Sequence, residues 1–338
     1  MIASSVNLIY FCLPPGLSLA LAEACKFTPL LLKTMYDNDS KGISYTAGFF
    51  MLIAFAVGGI ILASALSGLV WQQMTGRSFT EMAEGLKNPA YSDVMKVVQT
   101  LTAVVGFFLP TVAAAFLLHK RPIKLLGFSG TGINMRQVGL VVFLIGFSLL
   151  VATSLSYLTN SMPIPDSWKL SFDKLEEEYN RQVSAIISLK NAKDYILALI
   201  IMAFIPAVCE ETLFRGGLQN FLTRGTGLPW LSIILVSILF SLAHFSFYGF
   251  LSRFFLGLVL GALFHYSGKL WLSILGHFIN NALAITVLYY SIRQGRPLEE
   301  AMKQDATSFW GILAIPVVMI LFVAFKRASD NSQPAYIL

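Results

Sequence analysis

The chain has 338 residues, 56% of them hydrophobic and only 12% charged, with a mean hydropathy of +0.70. A soluble domain carries about 25% charged residues, so this composition excludes an ordinary water-soluble enzyme and fits a chain whose solvent is mostly lipid. The net charge of +6 is ascribed to Lys and Arg in loops that face anionic lipid; membrane lipid is an expected partner and nucleic acid is not. Three cysteines, Cys12, Cys25 and Cys209, have neither metal-ligand spacing nor an even number, so no disulfide framework is expected and Cys209 reads as a small buried hydrophobe.

In chain order, residues 1–44 form a hydrophobic segment that fits no simple class. Leu8–Leu32 is apolar but interrupted by Pro14 and Pro15, lacks the basic start of a signal peptide, and leaves Met35 as an alternative start. Eight apolar stretches of spanning length follow, at about 45–71, 97–118, 138–160, 195–222, 230–248, 250–266, 271–291 and 309–325. Unbroken apolar runs exclude the alternating pattern of a barrel, since backbone in lipid must satisfy itself within helices or closed sheets. The expectation is an all-α, polytopic transmembrane helix bundle of about eight spanning helices. Its parts would be an N-terminal set of helices with long charged loops (45–194), a core (195–291), and a last helix with a tail (292–338). Very short turns make the fifth to seventh spans antiparallel neighbours. The connection 161–194 is charged through Asp173, Lys174, Glu176, Glu177, Glu178 and Arg181; it reads as an amphipathic interfacial helix whose charges are a solvated face. Short basic loops predict both termini on the cytoplasmic side.

Ionisable groups at membrane depth cost several kcal/mol and mark function by default. Seven of the eight stretches hold no interior carboxylate, whereas the fourth holds Glu210, Glu211 and Arg215. Glu211 and Arg215 are spaced i,i+4 and share a helix face, so they are expected to form an internal ion pair. Glu210 points about 100° away and has no cation within a turn, which a structural ion pair does not require. Gly216 and Gly217 would permit close approach of a helix or a substrate backbone. Of the four histidines, His119 and His265 fall at span ends, where snorkelling is the default role. His244 and His277 fall inside the fifth and seventh spans, with Asn281 one turn after His277.

Three motifs on successive helices carry a resemblance. Glu210-Glu211-Thr-Leu-Phe-Arg215 reads EExxxR, Phe240-Ser-Leu-Ala-His244 reads FxxxH, and His277-Phe-Ile-Asn-Asn281 reads HxxxN. Together they resemble the signature of the CPBP family (CAAX proteases and bacteriocin-processing enzymes, also called ABI), which includes the Ras-converting CAAX endopeptidases. The resemblance covers about 198–288. It implies hydrolysis of a peptide bond of a membrane-associated substrate by a glutamate-activated water, in a conical catalytic cavity among the later helices. Glu210 would be the base, His244 would hold the water, and His277 and Asn281 would stabilise the oxyanion. The substrate would be a peptide or lipidated protein, CAAX-type or bacteriocin-like, and short loops suggest a bacterial inner membrane. No cofactor is required by this chemistry, although Glu210, His244 and His277 are also a feasible zinc set; no HExxH is present.

Two other readings are weighed. Gly127-Phe-Ser129-Gly130 spells the GxSG of rhomboid serine proteases but follows a basic loop outside any span, so it reads as a chance turn. A non-catalytic transporter, immunity or scaffold protein could use the buried Glu/His cluster as a proton relay or structural network; such transporters more often show internal repeats and broken helices in both halves, and neither is evident.

Overall fold

The computed structural model describes residues 39–85, 88–129, 133–187, 189–302 and 309–330. The readings of 1–38, including Leu8–Leu32, Met35, Cys12 and Cys25, and that of Gly130, lie outside them. Nine principal helices make up the described chain. They are α1 (Tyr45–Thr75), α2 (Pro89–Leu118), α3 (Met135–Asn160), α4 (Asp166–Ile186), α5 (Ala192–Thr226), α6 (Pro229–Leu242), α7 (Phe250–Ser267), α8 (Leu270–Arg293) and α9 (Trp310–Asp330). Among the described residues strand pairing is limited to an isolated bridge between Ser40 and His119. The protein is a polytopic helical membrane bundle.

Local chemistry sets the ends. Ser44 accepts a hydrogen bond from the Ala47 amide at 3.2 Å to open α1, and Gly76 closes it in the left-handed region at φ 70°. Asn134 and Gln137 form a reciprocal capping box before α3. Pro229 starts α6 just after Gly227, and Gly268 separates α7 from α8, both glycines at positive φ. Seven helices are long and apolar enough to cross a membrane; α6 is apolar but has only 14 residues, about 21 Å of rise. The fifth stretch therefore stops at Leu242, six residues earlier than its hydropathy indicates.

Two packed clusters hold the bundle. One joins α1, α2, α5 and α6 through residues such as Leu52, Leu118, Phe214, Phe221 and Phe240. The other joins α3, α7, α8 and α9 through Leu144, Leu260, Leu263, Leu272 and Phe325. Phe50, Ile61, Leu69, Met319 and Ile320 are exposed, as expected of side chains that face lipid tails. Gly216 and Gly217 serve helix packing: a Cβ on Gly217 would meet Leu52 Cδ2 at 2.5 Å and one on Gly216 the Leu126 carbonyl at 3.0 Å. They face helices and loops of the same chain, which corrects the alternative of a substrate approach.

Two further expectations change. His119 does not snorkel: it is buried, and its Nδ1 accepts from the Arg121 amide at 2.9 Å. The connection before α5 is helical as read, with i,i+4 pairs Lys169–Asp173 at 2.6 Å and Glu177–Arg181 at 2.8 Å. Trp168, Leu170 and Leu175 remain exposed on α4, the pattern of a helix lying in the membrane interface. Its acids, however, are not only a solvated face, because Asp173 and Glu176 bond to the turn after α6.

Candidate active site

α5 supplies the carboxylates. Within it a wide π-helical stretch, Leu199–Phe204, runs up to Pro206, and a second, Thr212–Gln219, begins directly after Glu211. Proline removes one helical hydrogen bond, and such wider turns recur at functional sites. Glu211 and Arg215 are fully buried and paired, Nη1 to Oε1 at 2.6 Å. The Arg215 guanidinium also donates Nη2–H to the Gly257 carbonyl of α7 at 3.2 Å and lies 4.6 Å over the Phe240 ring.

The pair has a third member. His277 of α8 places Nδ1 2.8 Å from the same Glu211 Oε1, and a carboxylate can only accept, so Nδ1 carries the hydrogen. The ring's other nitrogen, Nε2, then faces Glu210 Oε2 at 3.9 Å. Glu211 is thus both the counter-ion of Arg215 and the group that orients His277, a role the i,i+4 argument did not reveal. It also bears on the expected oxyanion donor: with Nδ1–H committed, Nε2 can donate only in the doubly protonated ring.

Glu210 is different from its neighbour. Its Oε2 is buried without a hydrogen-bond partner, while Cys209 beside it is a buried free thiol. Glu211 Oε2 also lacks a partner, but its sister oxygen holds two donors.

His244 is not inside a span. It follows the end of α6, in a turn over 243–249, and its Nδ1 lies 2.9 Å from the Phe240 carbonyl. A carbonyl only accepts, so here too Nδ1 bears the hydrogen and Nε2 is left free. Phe240 is the hub of the motif: its ring meets those of His244 at 5.1 Å and His277 at 5.6 Å, edge-on, besides supporting Arg215. Asn281, one turn after His277, is half-buried, and its Oδ1 accepts from Asn280 Nδ2 at 3.1 Å. That bond leaves the Asn281 amide hydrogens available as donors. Asn280 was not singled out from sequence; the doubled Asn at the end of the motif was its only signal.

A space of about 530 Å³ lies on the α4 side of the His244 turn, lined by Asp173, Glu176, Asn180, Arg181 and Tyr248 among others, and not by Glu210, His277 or Asn281. The buried Phe240 ring, between both histidines and Arg215, occupies space among the later helices. Among the described residues no three His, Cys, Asp or Glu side chains are gathered to hold a metal ion, so Glu210, His244 and His277 do not converge as a zinc set. Gly127 of the GxSG sequence sits at positive φ with its carbonyl accepting from Leu270 N at 2.8 Å; it anchors the start of α8.

No curated protein and no solved structure matches the chain. Residues 192–283 match the family model described as type II CAAX prenyl endopeptidase Rce1-like. That span encloses Glu210, Glu211, Arg215, His244, His277 and Asn281, so the part of the chain that carries the three motifs is similar to the Rce1-like CAAX endopeptidases.

Proposed function

We propose that the protein is an intramembrane endopeptidase in which Glu210 activates a water to attack a peptide bond of a membrane-associated substrate. The observation that carries this reading is the contrast between the two glutamates: Glu211 is held through Oε1 by both Arg215 and His277, whereas Glu210 has no cation bound to it and its Oε2 is buried and unpartnered, 3.9 Å from His277 Nε2. A gap of that length suits a bridging water better than a direct hydrogen bond, and a buried polar atom without a partner is costly unless something occupies it.

In the proposed reaction Glu210 takes a proton from the water as its oxygen bonds to the substrate carbonyl carbon. His244 Nε2 accepts a hydrogen bond from the same water and holds it in line. The Asn281 amide, with Oδ1 fixed by Asn280, and a doubly protonated His277 stabilise the oxyanion. Collapse of the tetrahedral intermediate breaks the C–N bond, and Glu210 returns its proton to the leaving amine. The chemistry needs no metal. A prenylated CAAX peptide is the first substrate to try, in keeping with the family's description, and a bacteriocin-like peptide the second; the setting would be a bacterial inner membrane.

Glu210→Gln is isosteric and should insert and fold as the wild type does, yet lose cleavage of a farnesylated CAAX peptide or of a bacteriocin-like peptide by about 10²–10⁴-fold, the usual range for a general base. Activity of the Gln variant equal to wild type on a cleaved substrate sinks the mechanism. Exhaustive chelation should leave wild-type cleavage intact, and its loss with recovery on adding zinc would replace the metal-free route.

A further inference from the structure

His244 is the site residue least supported by its own element. α6 ends two residues before it, and Phe245 after it has φ 50°, a left-handed conformation that costs a non-glycine residue of order 1 kcal/mol and persists only when neighbours impose it. The neighbours are on α4. Ser246 donates its hydroxyl to Glu176 Oε2 at 2.6 Å, and Tyr248 donates to Asp173 Oδ1 at 2.5 Å. Between these two bonds the Phe247 ring lies parallel to Phe172 of α4, with centroids 4.0 Å apart. Three successive residues of the turn are therefore bound to one face of one helix, 70 to 75 residues away in sequence. Both acceptors are carboxylates, and charge-assisted O–H donors to them are among the strongest neutral-to-ion bonds.

We propose that Asp173 and Glu176 are positioning residues that hold His244 in place through the turn over 243–249. The inference rests on the reading of His244 as the residue that holds the water, and it makes α4 part of the enzyme's working parts. α4 grips the turn with its polar side and leaves Trp168, Leu170 and Leu175 to lipid. Neither carboxylate touches the reacting atoms; each acts by fixing where the imidazole stands. Displacement of a catalytic group by about 1 Å can cost on the order of 10²-fold in rate.

The test uses the full-length protein in detergent micelles, with ¹⁵N-labelled histidine. Four histidines are present, so single substitutions assign every ring. Wild-type His244 should give the signals of one tautomer, with hydrogen on Nδ1. In Asp173→Ala/Glu176→Ala those signals should move to tautomer-averaged values while His277 stays unchanged. Cleavage of a farnesylated CAAX peptide should fall about 10- to 100-fold in kcat, with KM little altered. Glu176→Gln keeps an acceptor for Ser246 and should restore the Glu176→Ala defect. Tyr248→Phe removes one oxygen and gives the milder form of the same change should the double variant fail to fold. Unaltered His244 signals in the double variant, or in Tyr248→Phe if only that folds, overturn the proposal. Signals that move with no change in kcat would instead keep the grip and remove His244 from the reaction, which is a failure of the functional reading and not of this one.

Discussion

At the residue scale the two adjacent glutamates have opposite consequences. Glu211 lies in a closed chain of partners, Arg215 at 2.6 Å and His277 at 2.8 Å. Deleting one member of a buried pair leaves the other charge uncompensated, which costs about 3–5 kcal/mol. Glu211→Ala should therefore lower thermal stability by that amount as well as abolish cleavage, whereas Glu210→Gln should lose cleavage with its melting temperature nearly unchanged. Thermal unfolding of the two variants in the same detergent decides it; equal destabilisation would show that the division of labour is wrong. Arg215→Lys keeps the charge but cannot both reach Gly257 O and lie flat on Phe240, so it is not conservative here. The Glu211–Arg215 pair was legible from i,i+4 spacing alone, because both groups sit on one helix. Attachment of His277 to Glu211 was not, since it depends on how α8 is rotated against α5, a packing outcome that no local pattern encodes.

At the element scale, α4 and the turn after α6 were the least legible parts. The stretch Phe245-Ser-Phe-Tyr-Gly continues an apolar run, and nothing local ends the helix at Leu242. What rewards leaving the helix is long-range: two hydroxyls and a ring find partners on α4 that they would lose if α6 continued. The same distance hid the role of Asp173 and Glu176, which locally look like half of a surface charge ladder. Titration of this clamp has a definite sign. Lys169, first, and then Tyr248 hold the Asp173 carboxyl below its usual range, while the bond to Asp173 pushes the Tyr248 phenol up to about 12. An acid with a lowered folded value contributes above its ordinary range and stops contributing as pH falls through the lowered value. A phenol with a raised value contributes below its ordinary range and is lost as pH rises through about 12. Between about pH 5 and about pH 9 neither group should change state. The His244 tautomer should hold constant across that window apart from the ring's own titration, and the clamp should loosen only in strong acid or in strong alkali. Loss of the Nδ1–H signature near neutral pH, in step with no other histidine, would count against the clamp.

At the scale of the whole molecule, the spans were read from hydropathy because lipid imposes the same demand on every helix. Their number and placement agree with the described helices, apart from the shortened α6. The arrangement of helices around the site was legible only where connections were too short to allow anything else, as from α6 to α8. If all eight apolar helices cross, the start of α1 and the end of α9 share a side, and the short basic loops predict that this side is cytoplasmic. A C-terminal reporter that is active only outside the membrane should stay silent, and a bright fusion would invert the orientation. The chain of contacts around Arg215 has a further consequence, for synthesis. α5 enters lipid carrying Glu210, Glu211 and Arg215, and of its charges only Glu211 and Arg215 can neutralise each other at once. Gly257 and His277 lie 42 and 66 residues downstream of the groups they join. At about 5–20 residues per second, the ribosome needs roughly 3 to 13 s to deliver the last of them. Until then α5 holds its charges without their later partners, so its assembly should depend on whatever holds nascent spans beside the translocation pore, and a pause placed between α5 and α8 should lower the yield of the protein.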